Sequence, residues 1–166
     1  MKIFISDTNI FIDLISIDLL DAFLELPIEI QTNDFVLNEL SEDKKALVES
    51  KIEKNKILLN EADEKEIDEI KILHAAQKGL SFQDMSVFFH ARKNKTSILT
   101  GDKKLKMFAK QKNIECRGIL WILDEIEKTK LISKPILAKK LAKLITINSW
   151  LPKSECEQRI NEWKNA

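Results

Sequence analysis

Lys2-Ile3-Phe4-Ile5-Ser6-Asp7-Thr8-Asn9 sets a carboxylate directly after a short run of apolar and β-branched side chains. Such a run reads as a strand buried on both faces, the kind found in parallel sheets. A carboxylate at the C-terminal end of that strand faces the crevice where open α/β sheets bind ligands. The same arrangement returns at Thr96-Ser97-Ile98-Leu99-Thr100-Gly101-Asp102. Two further acids lie between: Glu39 in Val36-Leu37-Asn38-Glu39 and Asp84 in Leu80-Ser81-Phe82-Gln83-Asp84. Carboxylates gathered at one crevice repel each other, so they share protons or hold a divalent cation. The four acids together point to metal-dependent hydrolysis.

Working outward from the first strand (2–6), the spacing predicts helices over 8–14 and 19–26, the latter ended by Pro27. A strand over 28–32 and a helix over 34–40 carrying Glu39 follow. Residues 56–59 read as a short strand or a helix end. A helix over 62–78 is stopped by Gly79, and Ser81 caps the next through residue 94. A strand over 96–100, a helix over 103–112, a strand over 114–117 and a helix to residue 128 complete the alternation. Three glycines and three prolines in the whole chain leave helices dominant. Alternating strands and helices imply a three-layer α/β/α sandwich with a mostly parallel central sheet.

From Pro135 the pattern changes to helices with no strand between them. Ile136, Leu137, Leu141, Leu144 and Ile145 share one face and Lys139, Lys140 and Lys143 the other. Pro152 opens a last helix with Cys156, Ile160 and Trp163 on one stripe. The expected division is an α/β domain over 1–130 and a helical extension over 131–166. Leu141, Leu144, Ile145, Trp150 and Trp163 are expected to be buried against the body or a second copy, making a homodimer or partner-bound state the expectation.

A chain of 166 residues with no net formal charge can build a core without staples. Neutrality excludes a uniform electrostatic grip on nucleic acid and leaves room for a local one. Between Arg92 and Lys112 the cations Arg92, Lys93, Lys103, Lys104 and Lys106 are joined by three more lysines, with Asp102 the one acid. Residues 128–153 hold seven lysines and no acid. The first stretch brackets Asp102 and is the candidate phosphate-backbone surface; the second also reads as a solvated helix face. Cys116 and Cys156 are far apart and read as a reduced pair. The N-terminus reaches Asp7 without an apolar region of signal-peptide length, and no run approaches a membrane span. The expectation is a cytoplasmic protein with no membrane partner.

Each acid also has an ordinary reading. Asp7 and Asp102 stand between strand and helix, where Asp is a favoured N-cap. Ser81-x-x-Asp84 fits a capping box. Glu39 fits a solvated helix position. Capping leaves unexplained why Asp7 and Asp102 both follow the strands best suited to the sheet centre, and why Gly101, which permits close approach, precedes Asp102.

These residues resemble the PIN-domain ribonucleases. Ile5-Ser6-Asp7-Thr8-Asn9-Ile10-Phe11-Ile12, Leu80-Ser81-Phe82-Gln83-Asp84 and Ile98-Leu99-Thr100-Gly101-Asp102-Lys103-Lys104-Leu105 occur in that family's order. Val36-Leu37-Asn38-Glu39 falls where the family places its second acid. The resemblance covers residues 1–124 and implies a domain that binds Mg²⁺ or Mn²⁺ and cuts RNA. It implies Asp7, Glu39, Asp84 and Asp102 as catalytic metal-site acids, with Asn9 and Thr100 orienting the site. Because the family includes toxins of toxin–antitoxin pairs, it also implies an antitoxin partner.

The residue types suit that chemistry. Mg²⁺ prefers oxygen ligands and needs no His or Cys. Cleavage through the neighbouring 2′-hydroxyl would call for a His base, and His74 and His90 both fall on predicted helices. Two other functions compete. A haloacid-dehalogenase-like phosphatase needs acids where this chain has Asn9 and Lys106. A non-catalytic module holding RNA or protein would bind without metal and without cleavage.

Overall fold

The computed structural model describes all 166 residues. Its first strand, β1 (Lys2–Ser6), buries Phe4 and Ile5 completely. Parallel partners flank it on both sides. Phe4 lies opposite Ile30 of β2 (Ile28–Asn33) and Ser97 of β4 (Ser97–Leu99). Outside these sit β3 (Leu58–Asn60) and β5 (Cys116–Arg117), giving the order β3-β2-β1-β4-β5, parallel throughout. The chain is thus an α/β protein built on a five-stranded parallel sheet.

The strand order fixes the layers. From β1 the chain passes through α1 (Thr8–Ser16) to β2 on one side; from β4 it passes through α7 (Lys103–Gln111) to β5 on the other. Crossovers between parallel strands are right-handed, so connections running in opposite directions place α1 and α7 on opposite faces. Helix α6 (Phe82–Asn94) packs beside α7 through the Phe88 and Phe108 rings, edge to face at 4.7 Å. Helix α5 (Glu64–Ala76) starts at a capping box of Asp63 and Glu66.

Short connectors depart from the sequence reading. The helix begun at Asp34 ends as α3 (Asp34–Glu39), because Leu40 turns extended. A second helix follows, α4 (Glu42–Glu53), which the sequence reading does not contain. Its one buried residue is Val48, so no apolar stripe announces it.

The chain forms two compact units: Met1–Ile12 with Pro27–Gly118, and Asp13–Leu26 with Ile119–Ala166. The first holds the whole sheet. The second holds α2 (Leu20–Leu24), α8 (Ile119–Thr129), α9 (Lys134–Ile147) and α10 (Lys153–Lys164). This division falls elsewhere than residue 130, because the apolar residues of α8 and of residues 14–23 bury with the terminal helices. Leu14, Phe23, Ile122, Leu123, Leu141, Leu144 and Trp163 are its core. Arg159 grips Asp124 with two bonds of 2.8 Å, and Lys140 Nζ donates to the Ile17 carbonyl at 2.8 Å. Trp150, expected to be buried, is 84% exposed in the turn between α9 and α10, with Ile145 half-buried.

Candidate active site

β1 and β4 are neighbours whose following helices leave toward opposite edges, so their C-terminal ends open a crevice at the switch point of the sheet. Asp7 follows one strand; Thr100, Gly101 and Asp102 follow the other. The Asp7 backbone N–H donates to the Leu99 carbonyl at 2.8 Å, which locks the two strand ends together.

Asp7 is 3% exposed and both of its carboxyl oxygens are held. The Thr8 N–H donates to Oδ1 at 2.8 Å, and the Thr100 hydroxyl donates to Oδ2 at 2.8 Å. Those two bonds favour the charged form. Burial opposes them and prevails, aided by the nearby charges of Asp84 and Glu39, and pushes the Asp7 carboxyl up to about 6. Thr100 also accepts from the Asp102 N–H at 3.1 Å, linking the acids of the two strands through one hydroxyl.

The other three acids combine structural and open oxygens. Glu39, at the end of α3, accepts the Thr8 hydroxyl on Oε1 at 2.9 Å. Asp84 closes a capping box, with Oδ2 accepting the Ser81 N–H at 2.9 Å and its own N–H donating to Ser81 Oγ at 3.0 Å. Asp102 caps α7 with Oδ1 alone, which accepts the Lys104 and Leu105 N–H groups at 2.8 and 3.0 Å. Glu39 Oε2, Asp84 Oδ1 and Asp102 Oδ2 make no hydrogen bond. Each of these three side chains therefore keeps one oxygen open while the other is held. The Asp84 carboxyl is raised chiefly by burial, with Asp102 adding to the effect against the bonds from Ser81. Asp7 feels Asp84 and Glu39, and Asp84 feels Asp102, so the fold brings all four acids into one electrostatic neighbourhood. No three acidic, histidine or cysteine side chains converge as a ready metal-ligand set.

Other expected positions divide. Asn9 is exposed and makes no side-chain hydrogen bond; Thr8, one residue earlier, takes the orienting place between Asp7 and Glu39. In the sequence Thr8 is marked only by its place directly after the strand-end Asp, because its partner Glu39 lies thirty-one positions away. Lys103 and Lys104 open α7 beside Asp102. Lys104 reaches the loop before α6, its Nζ 3.8 Å from where a Cβ on Gly79 would stand. Lys106 Nζ lies 3.1 Å from the corresponding point on Gly118, which is also 3.6 Å from the Thr100 carbonyl. Arg92 and Lys93 stand at the opposite end of α6, about 12 Å along the axis from Asp84. There Arg92 covers the Phe88 ring at 5.4 Å and Lys93 pairs with Glu66. The helix that presents Asp84 thus carries those two cations away from the crevice. His90 is buried in α6 and His74 is exposed on α5. Burial pushes the half-buried Cys116 thiol up to about 11, leaving it protonated and unsuited to nucleophilic chemistry.

The family model DUF3368, a PIN domain, matches residues 3–165. The chain belongs to the PIN-domain family. Among solved structures, a chain of VapBC2 from Rickettsia felis bound to a DNA fragment from their promoter is similar, at 20% identity and a TM-score of 0.48, over 70% of this chain and 98% of that one. Among curated proteins, none matches the sequence.

Proposed function

We propose that this PIN-domain protein is a divalent-metal-dependent endoribonuclease of the cytoplasm, leaving 5′-phosphate and 3′-hydroxyl ends. The observation that carries the reading is Asp7, a buried carboxyl raised to about 6 at the switch point of the sheet, within the field of Asp84 and Glu39. A carboxylate held so close to other acids without a cation is destabilised, and a hard cation relieves that repulsion. The donor set suits Mg²⁺ or Mn²⁺, because it offers carboxylate oxygens and no sulfur or imidazole. Asp7, Glu39, Asp84 and Asp102 would hold the ion. When bound, it would supply countercharge, an activated water and polarisation of the phosphate.

The chain's own residues do the rest. Thr100 and the Thr8 N–H fix both oxygens of Asp7, so its direction into the crevice is set before any ligand arrives. Thr8 holds one oxygen of Glu39 and leaves the other open. Lys103, Lys104 and Lys106 flank the crevice as the phosphate-backbone surface. The family resemblance further supports a place as the toxin of a toxin–antitoxin pair, with an antitoxin protein as partner.

A second reading, a module that binds RNA or protein without cutting, is favoured by the absence of a ready three-residue ligand set. One assay separates the readings. RNA and a phosphomonoester are incubated side by side with EDTA or with Mn²⁺. The proposal expects internal RNA cuts with Mn²⁺ and none with EDTA. RNA retained without cleavage under both conditions would establish the binding module, and phosphate release from the monoester would establish a phosphatase.

A further inference from the structure

Helix α6 carries a polar stripe into the core. Ser86, His90 and Asn94 recur every four residues and so share one face. Ser86 and His90 are 0% and 1% exposed. The stripe meets polar residues of β2 and β3: Asn94 donates to Gln31 Oε1 at 3.1 Å and Asn60 Oδ1 at 3.0 Å. Deeper in, Asn33 at the end of β2 donates through Nδ2 to Ser86 Oγ at 3.0 Å and meets His90 Nδ1 at 3.1 Å.

The donor inventory determines how this contact works. Asn33 Oδ1 accepts the Val36 N–H at 2.8 Å, which caps α3, so its amide NH₂ must face α6. The Ser86 hydroxyl donates its hydrogen to the Gln83 carbonyl at 2.6 Å and has lone pairs left for Asn33. His90 Nδ1 meets an NH₂ group and accepts from it, so the ring is neutral with its hydrogen on Nε2, a buried atom that meets no partner of its own. Burial acts in the same direction: it lowers the affinity of His90 for a second proton, assisted by Lys93 and opposed by Glu66, Asp34 and a bond to the Ser86 backbone.

One side chain therefore ties two helices. Helix α3 begins at the Asn33 cap and ends in Glu39, and Ser86 lies two residues after Asp84 on α6. The same helices also touch through Phe35 and Phe82, edge to face at 5.0 Å. An apolar contact of that kind tolerates sliding, whereas three directed bonds from one buried amide do not.

We propose that Asn33 and His90 are a positioning pair: the Asn33 amide, held against a neutral His90, sets α3 with Glu39 in register with α6 and Asp84. This rests on the metal-site reading of those two acids. The pair acts through the helices and touches neither substrate nor cation.

The test uses the full chain. Nitrogen-resolved histidine NMR at neutral pH should show His90 with Nε2 protonated and Nδ1 bare; an Nδ1–H tautomer or an imidazolium overturns the pair. His90→Gln keeps an oxygen that can accept from Asn33, and His90→Leu does not. Mn²⁺ should raise the melting temperature of wild type and His90→Gln similarly, and that of His90→Leu by less than half as much. Asn33→Ser, which retains a cap for α3 and loses the reach to α6, should behave like His90→Leu while keeping its circular dichroism in EDTA. In RNA cleavage, His90→Leu should lower kcat with little change in KM. Equal Mn²⁺ shifts in all four proteins overturn the positioning role and leave the metal reading intact. No Mn²⁺ response in wild type overturns the metal reading and this proposal with it.

Discussion

Asp7 is where folding and the proposed chemistry make opposite demands on one side chain. Its carboxyl is raised to about 6, chiefly by burial, so the folded chain holds that proton more tightly than the unfolded chain does. The stabilising contribution is complete below the ordinary aspartate value of about 3.9 and is lost as pH rises through about 6. At neutral pH the charged Asp7 therefore costs the metal-free protein roughly 3 kcal/mol. Asp7→Asn removes that cost and disturbs the bonds to Thr8 and Thr100, offsetting about 1 kcal/mol. Denaturant unfolding in EDTA should find Asp7→Asn about 2 kcal/mol more stable than wild type at neutral pH, with the advantage gone near pH 4. RNA cleavage should fall by at least about 100-fold, the scale of losing a charge-stabilising group. A variant that unfolds at neutral pH would mark Asp7 as a structural residue. At Asp84 capping and the proposed metal binding separate differently. Asn at this position keeps an oxygen for the Ser81 N–H and loses the charge. Asp84→Asn should thus melt almost as wild type in EDTA and gain clearly less on adding Mn²⁺. Equal gains would return Asp84 to the capping box alone.

At the scale of elements, the sequence revealed what periodicity and strand chemistry encode and missed what depends on contacts between distant segments. Strand β1 was legible to the residue, because Phe4 and Ile5 are apolar in a chain position too short for a helix, with Asp7 immediately after. The cap of α6 was legible in Ser81-x-x-Asp84, since a capping box is a local pattern. Helix α4 was not, because a helix that buries only Val48 writes no stripe into its sequence. The orienting role of Thr8 was also hidden. Its hydroxyl meets Glu39, thirty-one positions along the chain, and only the pairing of β1 with β2 brings α3 back to that point. Arg92 and Lys93 are adjacent to the site in charge pattern alone, and the direction of α6 removes them from it. Thr8 supplies a clean test of the α1–α3 link. Thr8→Val preserves shape and removes a partly buried bond of 2.9 Å, so stability should fall by about 1 kcal/mol or less. Glu39 would then sample more orientations, and the rate of RNA cleavage should drop about 10-fold or more, since small misplacements of a reacting group are costly. Unchanged cleavage by Thr8→Val would mean that Glu39 is oriented by something other than this hydroxyl.

On the scale of the whole molecule, the formal charge of zero conceals an uneven distribution, and the fold determines which cations are available to a polyanion. Lys93 is engaged by Glu66, and Arg92 rests on Phe88 at the far end of α6. Lys103, Lys104 and Lys106 share the first turns of α7 with Asp102 and have no ion-pair partner. On the proposed function, an RNA strand drawn toward four acids would meet repulsion from them, and these three lysines would supply the compensation. For single strands, each phosphate neutralised adds about 0.7 to the slope of log affinity against log salt. Removing Lys104 or Lys106 should therefore weaken RNA binding and reduce that slope by about 0.7 apiece. Arg92→Ala and Lys93→Ala should leave the slope near wild type, even though they remove the same formal charge. Affinity measured by fluorescence anisotropy across a salt series, with a catalytically silent Asp7→Asn background and EDTA present, checks both halves. If the four substitutions reduce the slope alike, the RNA path extends along α6 to its C-terminal end. If none reduces it, strand recognition lies away from both α6 and α7.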